Sequence, residues 1–457
     1  MQNKFEELRV KHPVFTFETY EIIDQADKIT IKYYFSLGDF ITFTPKWEFL
    51  KKHTEQCYEN EEIVDKLAFQ LGMVELISYW KCACPPLVKI KAGALNEEQI
   101  NWWKMQYYLG LGEFFYTNRI DTDFDSFMNI ETGVAAEKSV YKTEHEKSGC
   151  LIPIGGGKDS IVTLELIKDR KDSNLCYMIN KKEASLRCAE AAGYSEQEIL
   201  IVNRSLDANM LALNKEGYLN GHTPFSAIVA FSSVLSAYLF DKKYVVLSNE
   251  SSANESTVEG TLVNHQYSKS YKFERDFIDY EEKYVGSGVH YFSLLRPFSE
   301  FQIAKFFAAQ EAYYSRFRSC NVGSKTDKWC GACPKCLFVA IILSPFINLK
   351  TLSEIFGHDL LNDESLIPTF DQLIGSAPEK PFECVGTCDE ANTAICMTIR
   401  ELEHNNQEIP KLYQYYKSKD LYRSYISNNE DSYLKYYDNE NAIPKEFVTR
   451  IKDLMLT

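Results

Sequence analysis

The stretch Cys150-Leu151-Ile152-Pro153-Ile154-Gly155-Gly156-Gly157-Lys158-Asp159-Ser160 decides the fold. A short apolar run leads into three successive glycines, and Ser160 to Lys168 continues at helical spacing. Successive glycines let the backbone turn sharply and bring N–H groups against an anion without side-chain hindrance. The helix that follows aims the positive end of its dipole at the same point, which suits phosphate. Lys158 adds a mobile positive charge and Ser160 a hydroxyl donor. The alternative phosphate loop, G-x-x-x-x-G-K-[ST], fails at two places, because Ile152 stands where its first glycine belongs and Asp159 follows the lysine.

Downstream of the glycines, the sequence predicts alternating strands and helices. Leu175 to Ile179 is a strand, Glu183 to Ala192 a helix, and Ile199 to Val202 a strand. The uncharged run from Gly217 to Phe240 is too polar for a bilayer span and reads as a buried helix. Lys243 to Asn249 is the next buried strand. This alternation predicts a parallel sheet with helices on both faces, whose ligands bind outside the carboxyl ends of the strands. The loops after Ile154, Ile179, Val202 and Leu247 are therefore expected to carry the site.

Upstream, residues 14–50 alternate aromatic and β-branched residues at period two, an antiparallel pattern with a turn at Gly38-Asp39. Glu61 to Trp80 carries one apolar stripe and reads as a helix. Asn96 to Tyr108 is another, with Asn96 and Gln99 forming a capping box. Asp121 to Gly149 reads as a linker, and residues 346 to about 400 as mixed loop and short helix. The expected fold class is α/β. An N-terminal α+β domain spans 1–146, and a central parallel-sheet nucleotide-binding domain spans 147–345, ending in a cysteine knuckle. A mixed helical region spans 346–457, with eight tyrosines between Tyr413 and Tyr437 expected to pack on the body.

At 457 residues, two or three domains are expected. Apolar residues at 45% and charged residues at 25% suit a globular protein with a sizeable core. A net charge of -15 disfavours nucleic acid as a partner. The charged N-terminus lacks the apolar stretch of a signal peptide, and the thirteen cysteines fit reduced thiols in a cytoplasmic protein without membrane insertion.

Cys320, Cys330, Cys333 and Cys336 stand at spacings x9, x2 and x2. Four thiols so arranged suit a structural, tetrahedral Zn²⁺, with an iron–sulfur cluster as the second metal candidate. Between the glycines and this cluster the sequence is dense in polar groups. Glu250 and Glu255 suit magnesium or proton transfer, and Lys269 and Arg296 suit phosphate or carboxylate.

The segment Gly155 to Ser160 resembles the PP-loop of the N-type ATP pyrophosphatases, Ser-Gly-Gly-x-Asp-Ser. Gly156, Gly157, Asp159 and Ser160 match it, and Gly155 stands in place of the first serine. The resemblance implies a HUP-like sheet and ATP cleavage between the α and β phosphates with Mg²⁺, which adenylates a substrate oxygen. Deazaguanine nitrile synthases, also PP-loop enzymes, carry a similar cysteine cluster.

Several further segments occur in a fixed order along the chain: Met73 to Leu76, Gly110 to Tyr116, Gly155 to Ser160, Asn220-Gly221-His222, Ser248-Asn249-Glu250, Asn264 to Ser270, Ser293 to Glu300, the cysteine cluster, and Lys380 to Gly386. Together they resemble the UDP-N-acetylmuramoyl-L-alanyl-L-glutamate epimerase family (MurL), from about residue 15 to residue 400. The resemblance implies an isomerase of peptidoglycan biosynthesis, hence of cell shape and division. Its substrate is UDP-MurNAc-L-Ala-L-Glu, whose terminal L-Glu is inverted while ATP gives AMP and pyrophosphate. The ATP-binding residues would be Gly155, Gly156, Gly157, Lys158, Asp159 and Ser160. The acid–base groups would come from His222, Glu250, Glu255, His265, Tyr267, Lys269 and Cys384. The other reading is a different adenylating PP-loop enzyme, either an amide- or nitrile-forming carboxylate ligase or a tRNA-modifying thiolase.

Overall fold

The computed structural model describes residues 2–51, 60–134, 148–254, 257, 264–265, 267–427 and 430–456. Its strands are β1 (Val14–Asp24), β2 (Lys28–Leu37), β3 (Ile41–Phe43), β4 (Lys46–Leu50), β5 (Leu87–Leu95), β6 (Asn129–Val134), β7 (Cys150–Pro153), β8 (Leu175–Ile179), β9 (Ile199–Ser205), β10 (Tyr244–Leu247) and β11 (His290–Ser293). They form one sheet in the order β11-β10-β7-β8-β9-β4-β2-β1-β5-β6, with β3 beside β2.

The strands from β11 to β9 are all parallel. Within this half the chain starts at β7, steps outward through β8 and β9, then returns to the other side as β10 and β11. The direction of winding therefore reverses between β7 and β10. A crevice opens at such a reversal, because the two following loops diverge.

The antiparallel half is β1, β2, β3 and β4, as the period-two pattern predicts. It joins the parallel half through β4 and β9, with Trp47 opposite Arg204 and Phe49 opposite Val202. A buried ion pair secures this seam: Arg204 donates from Nε and an NH2 nitrogen to the two oxygens of Glu75, at 2.9 and 2.8 Å. Trp47 Nε1 adds a third hydrogen bond to Glu75, at 3.2 Å. Glu75 is supplied by the helix Glu61–Trp80, which begins where the apolar stripe predicts.

The sheet separates two apolar cores. Leu151, Leu175, Tyr177 and Leu200 face one, and Cys150, Ile152, Cys176 and Met178 face the other, the alternation that a pleated strand imposes. Helix Phe225–Leu239 is buried against the first core, as its uncharged sequence predicts. Helices Glu300–Ala308, Pro334–Leu343 and Cys388–His404 build the second.

Two local expectations change, and a third, the helical tail packed on the body, holds. The predicted linker from Asp121 to Gly149 contains β6, which pairs parallel with β5 at the edge of the sheet; its residues 135–147 lie outside the described residues. Edge strands face water, so β6 lacks the apolar signal. The region expected to hold only loop and short helix contains the 17-residue helix Cys388–His404, started by a capping box between Thr387 and Glu390. The tail is helical, with Tyr413 and Tyr416 buried and Tyr433 packed on Phe301. The division at 146 and 345 stands as a proposal from sequence. The sheet runs on across the first boundary, and the segment after the second contributes to the site described next.

Candidate functional site

A cleft of about 310 Å³ opens over the carboxyl ends of β7 and β10, where the winding reverses. Gly155, Gly157, Asp159 and Ser160 form one wall. Ser248 and Asn249 follow β10, and Lys269, Lys335 and Cys384 close the far side. The loops after β7, β8 and β10 line it, as predicted, whereas the loop after β9 does not.

One of the glycines is required for the geometry of the turn, and a second is closely approached. Gly156 has φ +80°, and a Cβ there would lie 2.8 Å from the Ser185 amide nitrogen. Gly157 caps the helix Lys158–Leu166 without a side chain, and a Cβ there would meet Ser319 Oγ at 2.8 Å. Gly155 is different: a Cβ added to it meets nothing within 4 Å, so the position where the PP-loop pattern carries serine faces open space. The chain folds back from the cysteine cluster onto this turn, with the Arg318 amide donating to the Gly156 carbonyl at 2.7 Å. An exposed helix start beside an open glycine turn suits the phosphates of ATP.

Lys158 lies elsewhere than its sequence position suggests. It is buried at 1% exposure and ion-paired with Asp159 and Glu300, so its charge holds carboxylates and does not project into the cleft. The Ser160 hydroxyl donates to the Gly157 carbonyl at 2.9 Å. Asp159, Glu250 and Glu300 bring one oxygen each within 4.8 Å of one another. Burial and the neighbouring Asp159 and Glu250 push Glu300 up against the pull of Lys158, whereas Asp159, next to Lys158 and Lys335, is held down despite its burial. Three carboxyl groups converge on one point, and hard oxygen ligands of this kind fit Mg²⁺. The donor set therefore fits Mg²⁺.

Opposite the carboxylates lies a second cluster. Lys269 Nζ stands 3.1 Å from Cys384 Sγ, and the His265 side chain is hydrogen-bonded to the same thiol. Burial alone would raise this thiol. Lys269, the His265 hydrogen bond and Lys335 outweigh burial and bring Cys384 down to about 6. His265 is pushed down by burial, but Cys384 and Glu113 raise it to about 9. Glu113 Oε2 takes Nδ1 of both His265 and His222, the latter at 2.9 Å, and the two rings lie 4.8 Å apart between centroids. Burial opposes the charge on Glu113, yet the two histidines hold it at about 2.

Of the residues named from sequence, His222, His265, Lys269 and Cys384 thus meet in one group, and Glu250 joins Asp159 in the other. Glu255 lies outside the described residues. Tyr267 is buried, and its hydroxyl donates to Gln106 at 3.1 Å, away from the cleft; burial raises it far above the range for proton exchange near neutrality. Arg296 is fully buried and occupied by Glu274 and by the carbonyls of Glu250 and Lys269. It fixes the two loops that bear site residues. Sequence reasoning passed over Glu113, Glu300 and Lys335, although each lies in or beside a segment singled out there.

The four thiols of Cys320, Cys330, Cys333 and Cys336 converge, with sulfur separations of 3.8, 3.8 and 3.5 Å. Four sulfurs at about 2.3 Å from a common centre in a tetrahedron would be about 3.8 Å apart, so the set fits Zn²⁺. Backbone amides of Gly323, Cys330 and Cys333 donate to these sulfurs, as knuckles around a metal do. The cluster lies next in sequence to Arg318 and Ser319, which brace the glycine turn.

Comparison with known proteins places this arrangement in context. The model of the MurL N-terminal domain matches residues 6–294, and that of the MurL C-terminal domain matches residues 314–420. A protein of Xanthomonas oryzae pv. oryzae named UDP-N-acetyl-alpha-D-muramoyl-L-alanyl-L-glutamate epimerase is 35% identical over 361 residues, 77% of this chain and 78% of its own. Proteins of the same name from Micromonospora sp. and Salinispora tropica are 34% and 33% identical, each over 72% of this chain and covering 74% and 72% of their own lengths. No solved structure matches.

Proposed function

The chain belongs to the MurL family, and from that premise we propose that it inverts the terminal L-Glu of UDP-MurNAc-L-Ala-L-Glu by adenylating its α-carboxylate. The observation that carries the proposal is the sharing of one cleft by an open glycine turn at a helix start and a thiol in contact with Lys269.

The chemistry explains why both are needed. An α-hydrogen beside a free carboxylate is very weakly acidic, because its removal places negative charge on an existing anion. Joining that carboxylate to AMP makes a mixed anhydride whose acyl group carries no charge. Loss of the α-proton then gives an enolate, whose oxygen is stabilised by nearby cations. Inversion follows when a proton returns to the opposite face, and water releases AMP.

Each group in the cleft has a part in this sequence. The Gly155–Gly157 turn and the start of helix Lys158–Leu166 cradle the phosphates. Asp159, Glu250 and Glu300 would hold Mg²⁺, which supplies positive charge to the phosphates and the departing pyrophosphate. Lys158 keeps Asp159 and Glu300 together before the nucleotide arrives. Lys269 and Lys335 lie between the carboxylates and the thiol, where they receive the enolate charge. Cys384, paired with His265, takes the α-proton from one face. The Zn²⁺ knuckle would hold the Arg318–Ser319 segment against the glycine turn.

The test is incubation with ATP, Mg²⁺ and UDP-MurNAc-L-Ala-L-Glu, followed by hydrolysis and assay of D-Glu, AMP and pyrophosphate. Formation of all three supports the proposal. Pyrophosphate without D-Glu would point to another adenylating PP-loop enzyme.

A further inference from the structure

One carboxylate from the N-terminal third of the chain holds a histidine that is hydrogen-bonded to a thiol from the C-terminal third. Glu113 stands on the short helix Gly112–Thr117 and is partly buried. Its Oε2 is the shared partner of two imidazoles, His222 at 2.9 Å and His265. With Nδ1 of His265 taken by Glu113, Nε2 is the nitrogen left for Cys384. A carboxylate on one ring nitrogen fixes the tautomer and orientation of a histidine and stabilises its charged form. Both imidazoles thus turn Nδ1 to this one oxygen.

The supports behind Glu113 are built with the same care. The Lys81 ammonium, itself almost buried, donates to the carbonyls of Gly221 and His222 and to the Thr223 hydroxyl, which pins the loop carrying His222. Asn118, one turn beyond Glu113, donates to the Asn220 carbonyl at 3.1 Å. The His265 amide donates to Thr257 Oγ1 at 3.0 Å. Three separate segments are fixed so that their side chains meet at one oxygen.

We propose that Glu113 is the positioning residue of the proton-transfer site, holding His265 as a cation against Cys384 so that the thiol is kept as the thiolate that removes the substrate's α-proton. This deepens the epimerase reading and rests on it for the step that Cys384 performs. In that step the Cα–H bond breaks, its proton becomes the S–H of Cys384, and its electron pair passes into the activated carbonyl as an enolate. The groups that face the thiol are Lys269, from the turn Tyr267–Lys269; Lys335, from helix Pro334–Leu343; Glu383, beside it in sequence; and His265. Among these, His265 is held by a carboxylate that it shares with His222.

The experiment compares the wild type with Glu113→Gln, which keeps the size and removes the charge. Cys384 alkylation by iodoacetamide is followed by peptide mass spectrometry from pH 4.5 to 9, and substrate-dependent ATP–pyrophosphate exchange is measured beside epimerisation. The thiolate alone is alkylated, so the midpoint reports its protonation. Glu113→Gln is expected to raise that midpoint by at least ~1 pH unit and to lower kcat for epimerisation at least ~10-fold, with exchange within ~2-fold of wild type. An unmoved midpoint, or loss of exchange and epimerisation together, overturns the proposal. If Glu113→Gln does not fold, Glu113→Asp supplies the same reading: its shorter carboxylate cannot hold both rings, and the midpoint rises by a smaller step or the proposal fails. The alkylation profile needs no substrate, so it judges Glu113 even if the wild type yields no D-Glu.

Discussion

Lys269 Nζ lies 3.1 Å from Cys384 Sγ, a contact between the loop that follows β10 and the segment that precedes helix Cys388–His404. An ammonium at this distance favours the thiolate. Since Cys384 titrates at about 6, its thiolate fraction is high above that pH and falls below it. The acid limb of kcat/KM for epimerisation is therefore expected near pH 6. In Lys269→Met that limb moves upward by at least ~1 unit, because each unit corresponds to about 1.4 kcal/mol of lost stabilisation of the charged form. A pH–rate profile of both proteins checks this, and an unmoved limb would remove Lys269 from the thiol's environment.

Asp159 belongs to both the glycine turn and the carboxylate cluster. Asp159→Asn keeps the volume and removes a charge that the Mg²⁺ site requires. Pyrophosphate release is expected to fall at least ~100-fold, with circular dichroism unchanged. Retained release in the folded variant would remove the PP-loop assignment.

The four-cysteine cluster is expected to bind one Zn²⁺ per chain. Cys333→Ser should lose it, as read by mass spectrometry under native conditions, and lower the melting temperature. The cost is expected to exceed ~2 kcal/mol, since binding energy at a structural site is folding energy. Unchanged metal content would refute the knuckle.

Arg204 and Glu75 hold the seam between the antiparallel and parallel halves of the sheet. Glu75 is fully buried, so Arg204→Met leaves an uncompensated charge beneath Trp47. The expected loss is about 3–5 kcal/mol in denaturant unfolding, whereas changing Arg204 and Glu75 together to apolar residues costs less. A loss in the double variant equal to the sum of the two single losses would show that the pair does not couple.

Much of this was legible in the sequence, for identifiable reasons. Cys150 to Ser160 reads correctly because strand, glycines and helix are contiguous and each carries its own signal. The capping box at Asn96 and Gln99 marks a helix start within one residue. The box at Thr387 and Glu390 was equally present, but the prolines at 368, 378 and 381 masked the helix that follows it. β6 and the four-residue β11 were too short or too polar to register. In the site, Glu113 and Glu300 escaped notice because their meaning depends on partners more than 100 residues away: His222 and His265 for one, Lys158 for the other. Lys158 misled for the converse reason, since its position beside the glycines suggests a phosphate ligand and only its burial reveals an ion pair.

The central claim is that the glycine turn holds ATP while the substrate's own carboxylate attacks it. Substrate labelled with ¹⁸O in the α-carboxylate of its terminal L-Glu tests this directly. Attack at the α-phosphate followed by water at the acyl carbon is expected to leave one labelled oxygen in the AMP for each D-Glu formed, as read by mass spectrometry. D-Glu appearing while the AMP carries no label would contradict the account.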